Sequence, residues 1–127
     1  MEPWEKFLKA TAGLTPNQYN VLRILRGSHP DRLPCGDIAE RMIARDPDVT
    51  RLVDRLGRSG LVTRVRSRQD RRVVEVGITE KGREVLRSLD EHVDRFPKAM
   101  LGHLGSRKLA QLRALLEHVM AKPGIFP

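Results

Sequence analysis

Hydrophobic residues recur along this chain at two spacings, and the change from one to the other divides it into elements. Trp4, Phe7 and Leu8 stand at i, i+3 and i+4, which predicts a short helix within residues 1–12. Thr15-Pro16-Asn17-Gln18 has the form of a capping box with proline at the first helical position. It opens a helix whose apolar residues are Val21, Leu22, Ile24 and Leu25, ended by Gly27 to Pro30. Leu33 fits a brief strand, and Asp37 to Ala44 a short helix that turns Ile38, Ala39 and Met42 inward. Asp46-Pro47 reads as the next helix start, the aspartate capping free amides and the proline entering the first turn. Val49, Leu52, Val53 and Leu56 then follow an i, i+3, i+4, i+7 pattern. Asp48, Thr50, Arg51, Asp54, Arg55 and Arg58 take the opposite face, and Gly60 stands where a left-handed residue closes a helix.

After Gly60 the pattern changes to β-branched segments, Leu61 to Val65 and Val73 to Ile78, separated by the basic run Arg66 to Arg72. This predicts a hairpin in which Val74, Val76 and Ile78 cover the helices while Glu75 and Gly77 meet water. Helical spacing returns after Thr79, an N-cap residue, with Val85, Leu86, Leu89, Val93 and Phe96 up to a stop or kink at Pro97. Ser106 reads as the cap of a last helix. Its stripe of Leu109, Leu112, Leu115, Leu116, Val119 and Met120 is too broad to leave in water, so a partner subunit is its natural cover. Two helices joined by a tight turn, the second with arginines outward, followed by a basic hairpin, form a helix-turn-helix with a wing. The expected fold is mainly α with a small β-hairpin wing. A winged helix-turn-helix lobe at 14–78 is flanked by N- and C-terminal dimerisation helices at 1–13 and 79–122, with a tail at 123–127, all in one domain.

Composition narrows the function. With 39% hydrophobic and 31% charged residues, the 127-residue chain can bury a core without metal or disulfide staples. Cys35 stands alone, which excludes an intramolecular disulfide. The opening Met-Glu-Pro-Trp-Glu-Lys lacks the pattern of a signal peptide, and no apolar run approaches the ~20 residues of a membrane span. A cytoplasmic protein with no membrane partner is expected. The net charge of +8 and pI near 10.5 favour a polyanionic partner. Arg41 to Arg72 alone holds ten arginines against four aspartates, a net +6 with no lysine. Guanidinium groups suit bidentate contact with phosphate and guanine, the alternative being a solvated basic surface.

These residues resemble the multiple-antibiotic-resistance regulator (MarR) family of bacterial winged-helix repressors. The resemblance runs from Leu14 to about Met120 and is most specific at Val49-Thr50-Arg51-Leu52-Val53-Asp54-Arg55-Leu56, Gly60-Leu61-Val62, Asp70-Arg71-Arg72 and Thr79-Glu80-Lys81-Gly82. Leu14-Thr15-Pro16 and Ile38-Ala39-Glu40 also match. Two features depart from the family pattern: the segment before Leu14 is shorter than the usual first helix, and Pro34 stands where a capping Thr or Ser is common. The resemblance implies a homodimer with two winged lobes on successive major grooves of a palindromic operator in double-stranded DNA. It also implies transcriptional control, chiefly repression, and release by a small aromatic effector bound between lobe and dimer region.

Thr50 and Arg51 lie near the end of the recognition helix that enters the major groove, with Asp48, Asp54 and Arg55 beside them. Arg51 suits a base contact, or pairing with Asp48 or a phosphate; Arg55 suits bases or backbone equally; Asp48 suits capping or orienting an arginine. On the wing, whose DNA-binding residues are expected to be Arg66, Arg68, Arg71 and Arg72, Arg71 suits a narrow minor groove, and Arg66 and Arg68 suit phosphate contacts, the alternative being a solvated surface. DNA would repel Asp70, whose better role is to shape the wing by pairing with Arg72 or a strand arginine such as Arg64. The dimer contacts are expected from Trp4, Phe7, Leu109, Leu112, Leu116 and Val119. Cys35 reads as a structural or surface thiol rather than a redox sensor, and His29, His92, His103 and His118 lack metal-ligand spacing. No cofactor, metal or catalytic constellation is expected. The rival readings are a winged helix serving protein or RNA contact, and a small enzyme using Cys35 with a distant histidine.

Overall fold

The structure, a computed structural model, describes residues 2–93 and 101–121. Its contacts divide the chain into two units, Met1–Leu89 and Asp90–Pro127. In chain order the first holds α1 (Pro3–Ala12), α2 (Pro16–Ser28), β1 (Leu33–Pro34), α3 (Cys35–Arg41), α4 (Val49–Arg58), β2 (Val62–Arg66), β3 (Val74–Ile78) and most of α5 (Glu80–Val93). The second holds a 3-10 turn (Gly102–Leu104) and α6 (Gly105–Met120). The predicted Phe96, Pro97 and 123–127 features lie outside the described residues.

The winged helix-turn-helix is present, and its local causes are visible. At α2 the capping box closes in both directions: Gln18 N donates to Thr15 Oγ1 at 3.2 Å and Thr15 N to Gln18 Oε1 at 2.9 Å. The core gathers Leu8, Val21, Leu22, Leu25, Ile38, Val53, Leu56, Val76, Leu86 and Leu89, none more than 1% exposed. Helices α2, α3 and α4 therefore bring an apolar face to the sheet, and α1 packs against α2. That sheet has three antiparallel strands in the order β1-β3-β2, so Leu33 and Pro34 extend the predicted hairpin by pairing with Val76 and Glu75. Pro34 lacks an N–H and sits at the edge, where none is needed.

Recognition helix α4 ends in a Schellman arrangement. Gly60 adopts φ +76°, its N–H reaches Gly57 O at 3.1 Å, and Leu61 N reaches Leu56 O at 3.0 Å with both leucines buried. α5 then starts against this closed end. Thr79 caps it by accepting from Gly82 N at 3.1 Å, while its hydroxyl donates to Gly60 O at 2.7 Å. Lys81 Nζ donates to Ser59 O at 2.9 Å.

Several boundaries differ from the sequence reading. Asp48, not Asp46, caps α4, and Pro47 precedes the helix, because the Asp46 carboxylate is occupied in the loop before it. α3 spans Cys35–Arg41 rather than 37–44, and Ala39 is exposed while Ile38 and Met42 are buried. The outer face of β3 is not wet at Gly77: the Arg32 side chain lies over it. Ser106 is the second residue of α6, whose N-cap position belongs to Leu104, with no side-chain cap.

The closeness of α5 to the β2 start makes Gly82 sensitive. A Cβ there would collide with the Leu61 carbonyl oxygen and come within 2.8 Å of Ile78 Cγ1. Gly82→Ala is expected to destabilise the fold by about 1–3 kcal/mol despite alanine's better helix propensity. Urea unfolding followed by circular dichroism checks this; an unchanged midpoint would contradict the packing described.

Candidate nucleic-acid interface

The recognition helix begins where a side-chain relay suspends it. Asn17 Nδ2 of α2 donates to Asp46 Oδ2 at 3.0 Å, and Asp46 Oδ1 accepts from Asp48 N at 2.8 Å. Asp48 Oδ1 in turn accepts from Arg51 N at 3.0 Å, satisfying an orphan amide of the first turn. Asn20 Oδ1 holds the same loop through Ile43 N at 2.8 Å. Val49, Val53 and Leu56 are buried on one side of the helix, while Thr50, Arg51, Arg55 and Arg58 are exposed on the other. Asp54 is half-buried and pairs with Arg64 Nη1 of β2.

The wing is folded by its own polar residues. Ser67 is buried; its N–H reaches Val73 O at 2.9 Å, and its hydroxyl accepts from Gln69 N and Asp70 N at 3.2 and 3.3 Å. Asp70 takes a fork from Arg72, Nε to Oδ1 and Nη2 to Oδ2, both at 3.1 Å, and also accepts from Arg72 N at 3.0 Å. Arg66 Nη1 donates to Arg71 O at 2.9 Å. Asp70 therefore chooses Arg72 and not Arg64, which corrects the second of the two partners expected. Arg64 leaves β2 toward α4, where Asp54 receives it, and so it does not shape the wing tip. All four wing arginines are exposed; Arg66 and Arg72 are engaged in bracing the loop, and Arg68 and Arg71 project from it.

A family model described as the MarR family matches residues 14–74. The crystal structure of a MarR transcription factor from Planctomyces limnophilus is 42% identical, with a TM-score of 0.69 over 89% of this chain and 82% of that one. This chain belongs to the MarR family. The YdgJ HTH-type transcriptional regulator of Bacillus subtilis is 30% identical over 114 residues, 90% of this chain and 66% of the relative, so the chain spans just under two thirds of that relative's length. The PcaV transcriptional regulator of Streptomyces coelicolor, solved with its natural ligand, is 28% identical with a TM-score of 0.74 over 92% of this chain and 83% of that one.

Beside its winged helix, this MarR-family chain has a cavity of about 570 Å³ within the first unit. Trp4, Tyr19, Arg23, Ile24, Arg41 and Ile43 help to line it. The Tyr19 ring packs edge-on to Trp4 with centroids 5.2 Å apart, and Arg23 Cζ lies 5.9 Å from its centre. Tyr19 is 7% exposed, and its buried hydroxyl has no hydrogen-bond partner among the described residues. Trp4 also stacks on Phe7, centroids 5.7 Å apart, and the fully buried Leu8 anchors α1. Sequence periodicity placed Trp4 and Phe7 on one face but carried no sign of the cavity; the only available signal was an aromatic and an arginine at i, i+4 on α2.

Cys35 opens α3 half-buried, and burial followed by the Asp54 carboxylate pushes its thiol above the ordinary range. An upward shift favours the neutral thiol over the thiolate, which fits the structural reading of Cys35. Among the described residues no cluster of His, Cys, Asp and Glu could hold a metal ion, and no helix is long and apolar enough to cross a membrane.

The side-chain and backbone hydrogen bonds from Arg72 hold the Asp70 carboxyl below its usual range. A depressed folded-state pKa means that the wing's bracing is present above the unfolded value, near 3.9, and is lost as pH falls through the lower folded value. An NMR titration of the Asp70 carboxyl carbon should place its midpoint below that of an unfolded aspartate, with Arg72→Ala returning it upward. A wild-type midpoint at or above the unfolded value would contradict the fork.

Proposed function

We propose that this chain is a sequence-specific DNA-binding transcriptional regulator that acts as a homodimer on an inverted-repeat operator and represses by occupying it. The observation that carries the reading is the shared basic surface of one lobe: exposed Thr50, Arg51, Arg55 and Arg58 on α4, followed by a braced wing with Arg68 and Arg71 exposed. In this reading α4 enters the major groove, with Arg51 on base edges and Arg55 on bases or backbone, and Arg71 meets the narrow minor groove beside it. Asp48 and Asp54 serve by aiming the helix. Arg66, Arg72 and Asp70 hold the wing, and Arg68 meets phosphate.

The dimer reading rests on α6. None of its residues is buried, and Leu115, Leu116, Val119 and Met120 are 47–66% exposed. A second copy covers this stripe through Leu109, Leu112, Leu116 and Val119, with Trp4 and Phe7 contributing from α1. The dimer region is then 1–13 and 79–122, flanking the lobe at 14–78.

Selection from randomised duplex DNA tests both parts. An inverted repeat should be enriched, because a two-fold dimer reads the same half-site twice. Arg51→Ala should cost about 1–3 kcal/mol and relax one position in each half-site. Arg71→Ala should instead weaken binding most where the flanks are A·T-rich. Equal, sequence-independent losses from both would remove the assignment of recognition helix and wing, and a single unrepeated site would remove the dimer.

The cavity lined by Trp4, Tyr19, Arg23 and Arg41 supports effector control. A small aromatic anion fits the cavity, its ring against Trp4 and Tyr19 and its charge toward Arg23 or Arg41, and lowers operator affinity by its preference for one lobe arrangement. Calorimetric titration with 4-hydroxybenzoate should show binding that Arg23→Ala and Trp4→Ala both weaken. Equal affinity of all three proteins would place any effector elsewhere.

A further inference from the structure

Arg64 is an unusual residue for its position. It stands opposite the fully buried Val76 in the β2–β3 register, and directly opposed residues project from the same face of a sheet. Its side chain therefore leaves β2 on the side that covers the helices. A guanidinium cannot stay there unpaired, so the stem lies along the protein and the head group runs out over α4. At the crossing point α4 carries Gly57. A Cβ built on Gly57 would stand 2.8 Å from Arg64 Nε, 3.1 Å from Cζ and 3.2 Å from Nη2, so the guanidinium rests on the helix surface where a side chain is missing. One turn back along α4, Asp54 accepts from Arg64 Nη1.

Gly57 has no conformational reason to be glycine. It lies within α4, its φ is not positive, and glycine is a poor helix former. We propose that Gly57 is a slot for the Arg64 side chain, and that the Gly57–Arg64–Asp54 contact positions the wing against the recognition helix for DNA. Arg64 is a positioning residue in this arrangement. Its charge is spent on Asp54, which otherwise presents a carboxylate among the helix arginines and repels phosphate. Its stem ties the first strand of the wing to the helix beside it. Val65 and Arg66 follow directly and lead into the wing tip, so the tie acts at the root of the hairpin.

The inference rests on the docking proposed above, and the test separates the two. Gly57→Ala meets only the far end of a flexible side chain, so the protein should fold with a melting temperature at or slightly above that of the wild type. Arg64 should be expelled from its slot. Binding to the duplex that the wild type selects from a randomised pool should weaken about threefold to tenfold, the low end of coupling expected for a partly exposed pair. The flank preference contributed by the wing should flatten. In an Asp54→Asn background, where the pair is already broken, Gly57→Ala should add little further loss. Arg64→Gln should copy Gly57→Ala without a change in salt slope.

Gly57→Ala binding within twofold of wild type would overturn the inference. So would an Arg64→Gln salt slope shallower by about one contact per subunit, the mark of a phosphate ligand. A wild type that enriches no sequence would fail the docking reading alone. In that case the slot is still decided by NMR of the Arg64 guanidinium, whose rotation should be slowed in the wild type and released in Gly57→Ala. Equal rotation in both would overturn the slot whatever the DNA result.

Discussion

A recognition helix can be aimed only if both its ends are held, and the C-terminal end of α4 is where the lobe is joined together. The left-handed turn at Gly60 sends Leu61 back onto Leu56, starts β2 in the right direction, and leaves the Gly60 and Leu61 carbonyls facing α5. Thr79 takes both, one with its hydroxyl and one with its N–H at 3.0 Å, while the same hydroxyl caps α5 through Gly82 N. Helix end, strand start and next helix start thus share one small cluster of hydrogen bonds. Gly82 belongs to it because no side chain fits between α5 and the Leu61 carbonyl. The opposite end of α4 is held more softly, by the Asn17–Asp46–Asp48 relay from α2.

Within the basic segment each of the four aspartates has an internal task. Asp46 orders the loop, Asp48 caps α4, Asp54 receives Arg64 and Asp70 receives Arg72. Exposed ion pairs of this kind add little stability, about 0–1 kcal/mol each, so their importance lies in geometry. They also sort the arginines. Arg64, Arg66 and Arg72 are committed to shaping, and the exposed Arg51, Arg55, Arg58, Arg68 and Arg71 form the surface that fits an anionic duplex. Counting charge alone would have treated all of them as equivalent.

The cavity and the helix start are neighbours through the same residues. Asn17 and Asn20 line the cavity and also hold the loop that leads to Asp48. A ligand that disturbed Asn17 would act on the first turn of α4 through three consecutive hydrogen bonds, and one that disturbed Asn20 would act on the preceding loop at Ile43 N. Such a path is short and made of exposed or half-buried polar groups, which shift at lower cost than a packed core.

Much of this architecture was legible from the chain because it depends on local chemistry. The Thr15 capping box, the α4 stripe, the left-handed Gly60, the hairpin and the Thr79 cap each follow from the preferences of a few adjacent residues. Two registers of hydrophobic spacing then decide which faces turn inward, and the density of arginine names an anionic partner. Partner choice was not legible. Asp70 could pair with Arg72 or Arg64 by charge, and only the direction in which β2 projects Arg64 settled the matter. The start of α4 moved from Asp46 to Asp48 because Asn17, 29 positions earlier, engages the first of these carboxylates. Gly57 and Gly82 look alike in sequence, yet one makes room for a side chain and the other for a backbone carbonyl. Local preference sets the elements because its energies act between neighbours in the chain; tertiary structure sets the pairs, slots and cavity because those depend on which distant surfaces are brought within a few ångströms.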